Sequence, residues 1–148
     1  MLGRLYEKQE CSAARALEVI GERWSLLILR DAVFGGFTRF SDFQRAQGIA
    51  PNILATRLEG FVSAGIMEAH RSKTHIERNE YRLTQKGEEL KPIIMALSAW
   101  GAKWVRPGRM IYSHRNCEQH GLVEIQMRCD GCGADVGLTD IEVKPRPR

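Results

Sequence analysis

Residues 38–70 read TRFSDFQRAQGIAPNILATRLEGFVSAGIMEAH, and the punctuation of this stretch decides the fold. Ser41 followed three residues later by Gln44 has the form of a capping box, in which two side chains satisfy each other's backbone N–H groups at a helix start. It predicts a short helix over residues 42–46. Gly48 supplies the permissive backbone of a tight turn. Pro51 suits the first turn of a second helix, because the N–H it lacks would be unpaired there anyway. Along that second helix Leu54, Leu58, Phe61 and Val62 fall at i, i+4, i+7 and i+8, one buried stripe. Asn52, Ile53 and Thr56 point away from the stripe, with Arg57 on its border, and Gly65 closes the helix.

Outward from this pair, the flanks complete a small domain. Downstream, Ile66–His70 and Glu80–Leu83 are candidate strands, and the polar run RSKTHIERN (residues 71–79) makes a hairpin tip between them. Thr84 then caps a long helix over residues 85–105, on which Leu90, Ile94, Leu97, Trp100, Gly101 and Trp104 form a wide apolar face. That face exceeds what one small domain buries, so part of it is expected to meet a second subunit. Upstream, residues 12–20 form a helix with Ser12 as its cap and Gly21 as its stop. Residues 23–34 form a helix apolar almost all round, fit for the centre of the core, ended by Gly35–Gly36. Pro107 and Gly108 mark a boundary. The expected fold is mainly α with a small β-hairpin wing (α+β): a winged helix-turn-helix over residues 1–108 and a zinc-ribbon-like tail over residues 109–148.

A short helix, a turn, an amphipathic helix and a basic hairpin suit duplex DNA. The polar side of the second helix fits the major groove, which is about as wide as a helix. Asn52 and Thr56 would stand nearest the base edges, Ile53 would meet a thymine methyl, and Arg57 a base or a phosphate. Arg39 and Arg45 flank the shorter helix and suit phosphates, which position without specifying. Arg71, Lys73, His75 and Arg78 put the hairpin within reach of backbone or minor groove. Charge agrees. Residues 36–112 carry 12 Lys/Arg against 7 Asp/Glu, whereas the first 35 residues balance at 5 against 5 and residues 113–148 carry 5 against 6. The positive excess therefore sits where a polyanion would bind.

The run ALEVIGERWSLLILRDAVFGGFTRFSDFQRAQGIAPNILATRLEGFVSAGIMEAHRS, followed by ERNEYRLTQKGEELKPIIMALSAWGAKW, closely resembles the HxlR-type family of bacterial winged-helix regulators. Its most specific pieces are IGERW with LLILRD, RFSDFQR, ILATRLEGFVSAGI and YRLTQKGEEL, and the likeness runs from about Cys11 to Trp104. The resemblance implies a DNA-binding homodimer, paired through its N-terminal and long C-terminal helices, on a pseudo-palindromic site. Ala50 departs from it, standing where a Ser-like cap before Pro51 is expected, which forfeits about 1 kcal/mol of capping. The resemblance also implies responsiveness to a small molecule or to redox state. Cys11 matches by position a cysteine that senses oxidants or electrophiles in some such regulators. Reactivity there requires a lowered pKa, which Lys8 and Arg15 favour and Glu7 and Glu10 oppose; the alternative is an inert thiol in the subunit interface.

Three of the 4 cysteines, Cys117, Cys129 and Cys132, crowd towards the C-terminus. Cys129-Asp-Gly-Cys132-Gly is a zinc-knuckle sequence, and either His114 or His120 completes a Cys3His set of the kind tetrahedral zinc takes. His114 gives HxxC, the spacing of HxlR-like proteins with a similar tail; His120 gives CxxHG, a near echo of CxxCG. Four protein ligands leave no place for a reactive water, so the zinc is expected to be structural, folding a tail too short to build its own core. Nucleobase deaminases place H-x-E and P-C-x-x-C around a catalytic zinc; here Cys129 follows Arg128 and His120 lies four residues from Glu124, so that chemistry is excluded. Neither a Ser/His/Asp set nor a phosphate loop suggests an enzyme. No apolar run approaches the roughly 20 residues that cross a bilayer, and the N-terminus carries charges where a signal peptide is apolar, so a cytoplasmic regulator without membrane contact is expected. The competing reading is a protein-interaction adaptor that docks the helical triplet and ribbon on another protein.

Overall fold

A computed structural model of the chain describes Tyr6, residues 9–70 and residues 79–144. Its first compact unit ends at Ile94, and a second runs from Met95. In the first unit, helices α1 (Ser12–Ile20), α2 (Ser25–Gly35), α3 (Phe40–Gln47) and α4 (Pro51–Ser63) precede an antiparallel pair, β1 (Met67–His70) and β2 (Glu80–Leu83). A single helical turn, α5 (Gln85–Glu88), and helix α6 (Lys91–Trp104) follow.

The core gathers one or two side chains from nearly every element: Ile28 and Leu29 of α2, Phe40 and Phe43 of α3, Leu54, Leu58 and Phe61 of α4, Met67 and Tyr81 of the hairpin, and Ile94 of α6. Helix α2 contributes at its centre, as its all-round apolar composition requires. The hairpin alternates. Met67 pairs with Leu83 and Ala69 with Tyr81 on the core side, while Glu68–Arg82 and His70–Glu80 form the polar pairs. An isolated bridge from Arg39 to Glu80 ties the start of α3 to the same sheet.

Several boundaries differ from the sequence expectation, each for a local reason. The short helix begins at Phe40 rather than Asp42, with Arg39 as its N-cap and no side-chain cap, so Ser41 and Gln44 form no capping box. Backbone pairing sets the start instead. The Tyr81 amide donates to Thr38 O at 2.7 Å and the Phe40 amide to Asn79 O at 3.4 Å, and Phe40 and Phe43, three apart, drop into the core. Cys11, not Ser12, is the N-cap of α1. Helix α2 starts at Ser25, after the Ser25 amide has closed a turn onto Glu22 O at 2.9 Å.

The single helix expected over residues 85–105 is two. Pro92, the second residue of α6, has no amide hydrogen to offer Glu88, so a continuous ladder is impossible at that point. The chain bridges the gap with a tighter Leu90 N–H to Gly87 O bond of 3.1 Å. Thr84 caps α5 as expected, its hydroxyl donating to Gly65 O at 2.7 Å and accepting from the Gly87 amide at 3.3 Å. Gly87 is required for closeness: a Cβ there would lie 2.4 Å from Ile66 O.

The second unit holds the rest of α6, two short hairpins and a single 3-10 turn, Leu138–Asp140. Its hairpins close at the bridges Ser113–Leu122 and Arg128–Asp135. From Met95 to Lys144 no residue is buried.

Candidate nucleic-acid interface

Helix α4 is held by one side and open on the other. Leu54 and Leu58 are fully buried and Phe61 is 1% exposed, which fixes the rotation of the helix about its axis. Asn52, Ile53 and Thr56 consequently face solvent. The approach to the helix is set by Gly48 in the left-handed region (φ 60°), which closes α3, and by Ala50 in extended backbone ahead of Pro51. Ala50 offers no side-chain cap, yet the helix starts at Pro51 and the Leu54 amide reaches Ala50 O at 3.0 Å. The Thr56 hydroxyl donates to Asn52 O at 2.9 Å. Its proton is thus used within the helix, and its lone pairs and methyl face outward to accept hydrogen bonds or meet an apolar edge.

The basic residues divide by what holds them. Arg57 is a brace. Its guanidinium meets Glu22 of the α1–α2 loop at 3.0 Å with only 15% of the side chain exposed, and its Nε is buried without a hydrogen-bond partner. The chain therefore commits Arg57 to anchoring α4, where the sequence suggested a DNA contact. Arg45 is 79% exposed and only loosely tied to Asp42, at 3.7 Å. Arg39 is exposed at the N-cap of α3. These two can swing to phosphates at little cost. Arg71, Lys73, His75 and Arg78, the expected hairpin contacts, lie outside the described residues.

Two positioning contacts had no sequence signal, because each joins residues far apart in the chain. One is Glu22, 35 positions from Arg57. The other is Asp31 on α2, whose carboxylate accepts from Arg30 Nε at 2.9 Å and, on its other oxygen, from Gln47 Nε2 at the end of α3. This clasp sets α3 against the central helix, so both helices of the pair are fixed from outside the pair.

Cys11 is exposed at the start of α1. The amide N–H groups of Ala14 and then Ala13 point at its sulfur and hold its pKa below the ordinary thiol value. The helix start does this. Arg15, credited with it from sequence, spends one nitrogen on Glu18 at 2.8 Å and another on Gln9 O at 3.1 Å. In the second unit, Cys117 and Cys129 are half-buried, and His114, His120 and Cys132 are exposed. Amides of Cys132 and Gly131 and the Cys132 thiol point at the Cys129 sulfur and lower its pKa. Among the described residues, no three His, Cys, Asp or Glu side chains are gathered closely enough to hold a metal. None of the described helices is long and apolar enough to cross a membrane.

The family model described as HxlR-like helix-turn-helix matches residues 19–109. The HTH-type transcriptional regulator Rv3095 of Mycobacterium tuberculosis is 37% identical over 139 residues, covering 92% of this chain and 86% of the relative. Among solved structures, PA1607, a candidate transcription factor, is 37% identical with a TM-score of 0.79, covering 94% of this chain and 97% of its own. The redox regulator HypR in its reduced form is 26% identical with a TM-score of 0.56, over 63% of this chain and 92% of its own.

Proposed function

The chain belongs to the HxlR-like helix-turn-helix family of transcriptional regulators, and from that premise we propose that it acts in the cytoplasm as a homodimer on a pseudo-palindromic DNA site. The observation that carries this reading is the division of α4, buried through Leu54, Leu58 and Phe61 and open through Asn52, Ile53 and Thr56. Such a helix can enter a major groove without unfolding anything behind it. In this reading Asn52 and Thr56 contact base edges, Ile53 packs on a thymine methyl, and Arg39 and Arg45 clamp phosphates with the basic residues of segment 71–78. Arg57 keeps the reading helix in place.

Dimerisation is supported by apolar surface that a lone chain leaves wet. On α6 Leu97, Trp100 and Trp104 are 51%, 58% and 66% exposed, and on α1 Leu17 is 50% exposed. Covering these faces with a second copy would present two α4 helices to half-sites about one DNA turn, roughly 34–36 Å, apart. A small electrophile or oxidant acting at Cys11 would adjust binding, a reading supported by the exposed, activated thiol and by likeness to a redox regulator.

Titration of genomic fragments at several salt concentrations tests the whole reading. A specific site should emerge, with affinity falling by about 0.9 log units per log unit of salt for each phosphate contacted. Arg45→Ala should weaken binding to all sequences and lower that slope by about one. Asn52→Ala should cost about 1–3 kcal/mol at the specific site and little elsewhere. A monomer that ignores every duplex at low salt would defeat the proposal and favour a protein-docking adaptor.

A further inference from the structure

The two hairpins of the second unit are built around the residues that bind soft metals. In the second hairpin the bridge Arg128–Asp135 is followed at once by Cys129, and Cys132 comes three residues later. The Cys129 amide donates to Ala134 O and the Gly133 amide to Cys129 O, each at 2.9 Å. Gly133 takes the left-handed conformation (φ 72°). Amides of Cys132 and Gly131 aim at the Cys129 sulfur, the donor arrangement that stabilises a thiolate. The first hairpin repeats the plan. The bridge Ser113–Leu122 is followed at once by His114, whose amide donates to Gly121 O at 2.9 Å, and Cys117 comes three residues later with its amide on His114 O at 3.2 Å. His114 thus holds the place of Cys129, and Cys117 the place of Cys132. His120 has another duty, as the non-glycine residue in the left-handed region (φ 53°) that turns the first hairpin back towards its bridge.

The same unit lacks any other means of holding itself together. Between Met95 and Lys144 nothing is buried, and Leu122, Val123, Ile125 and Met127 remain 60%, 43%, 45% and 42% exposed. A segment that small with no core depends on a staple of another kind, and with four soft ligands in two matching turns the staple is a metal ion.

We propose that His114, Cys117, Cys129 and Cys132 bind one zinc ion per chain as a closed Cys3His site that ties the two hairpins together. Each turn is organised separately: the Cys117 thiol donates to Gln119 Oε1 at 3.4 Å, and the Cys132 thiol to Cys129. The ion supplies the link between turns as the three thiols lose their protons to solvent and their sulfurs, with one imidazole nitrogen, take its four positions. With every position filled by protein the ion is structural. The proposal is independent of DNA recognition by α4, and the two are scored by different readouts.

The test uses the full chain purified from zinc-replete cells. Elemental analysis should give one equivalent of zinc, and cobalt(II) should replace it with the intense visible spectrum of a tetrahedral thiolate site. A thiol reagent should label Cys11 at once and Cys117, Cys129 and Cys132 only after a chelator is added. His114→Ala should weaken cobalt binding by at least about 10–100-fold, the loss that even outer-shell changes cause. His120→Gly, which suits the left-handed backbone and removes the imidazole, should leave metal content unchanged. Cys129→Ser should lose the metal; should that variant fail to fold, the spectrum and labelling order of the unaltered chain still decide. A zinc-free chain with all its thiols labelled together, or one isolated with Cys129 and Cys132 joined in a disulfide, overturns the site. Loss of metal in His120→Gly with retention in His114→Ala overturns the ligand assignment.

Discussion

The two units of this chain solve the same problem, holding backbone in place, by different physics. Residues up to Ile94 bury 14 apolar side chains in one continuous core, contributed by helices and hairpin alike. From Met95 onward the described residues bury none and rely on local hairpin bonds. The lesson concerns what each unit can tolerate. A core spreads its stability over many contacts and is damaged by a lost methylene. A ribbon of turns is indifferent to its exposed Val or Ile and depends on a few atoms at its corners.

The largest expected effect compares the units directly. Leu58→Ala removes a fully buried side chain from the helix that carries the DNA-facing ridge, and should cost about 2–5 kcal/mol, a large part of the stability of an ordinary domain. Val123→Ala, at a residue 43% exposed in the second unit, should change stability by no more than about 0.5 kcal/mol. Urea melts of the two variants, followed by tryptophan fluorescence and circular dichroism, check this contrast; equal losses would break it.

Next is Gly87→Ala. Its new methyl would stand 2.4 Å from the Ile66 carbonyl and 2.7 Å from Leu83 Cδ2, so hairpin or α5 must shift. A loss of about 1–3 kcal/mol is expected, visible as a lowered melting midpoint. An unchanged midpoint would mean that this junction is looser than the core around it.

A smaller effect sharpens the role of Arg57. If it braces α4 through Glu22, then Glu22→Gln and Arg57→Met should each lower stability by about 1 kcal/mol, for a pair that is still partly solvated. Both should reduce DNA affinity without altering its salt slope. A lowered slope in Arg57→Met alone would make Arg57 a phosphate contact after all.

The smallest effect is chemical. Because amides of Ala14 and Ala13 hold the Cys11 thiol below its ordinary pKa, alkylation of Cys11 by iodoacetamide, forming an S–C bond and releasing iodide, should reach half its maximal rate at a lower pH than alkylation of a free cysteine. The thiolate is the reactive form, so the sign is fixed: a lower pKa moves the profile to lower pH. Matching profiles would leave Cys11 an ordinary surface thiol.

Much of the first unit was legible from residue order. The stripe Leu54, Leu58, Phe61 is buried as its spacing requires, Gly48 turns the chain in the left-handed region, Pro51 opens α4, Thr84 caps α5, and β2 spans Glu80–Leu83 as read. The misread features share a cause. The start of α3 is set by strand pairing of residues 38–40 with Asn79 and Tyr81, which outweighs the local capping pattern of Ser41 and Gln44. The break between α5 and α6 was visible in Pro92, but the wide apolar pattern spanning it suggested a single rod.

Periodicity, proline and glycine determined which residues lie inside and which face of α4 lies open, because burial and backbone freedom are properties that neighbours in sequence already decide. Whether an exposed-looking arginine is spent on a partner was decided only by the tertiary structure. Arg57 meets Glu22 and Gln47 meets Asp31 because folding brings together charges and amides whose separation along the chain carries no pattern. Ion pairs and hydrogen bonds form by proximity in space, and proximity between distant residues is the one thing that a linear order of side chains does not contain.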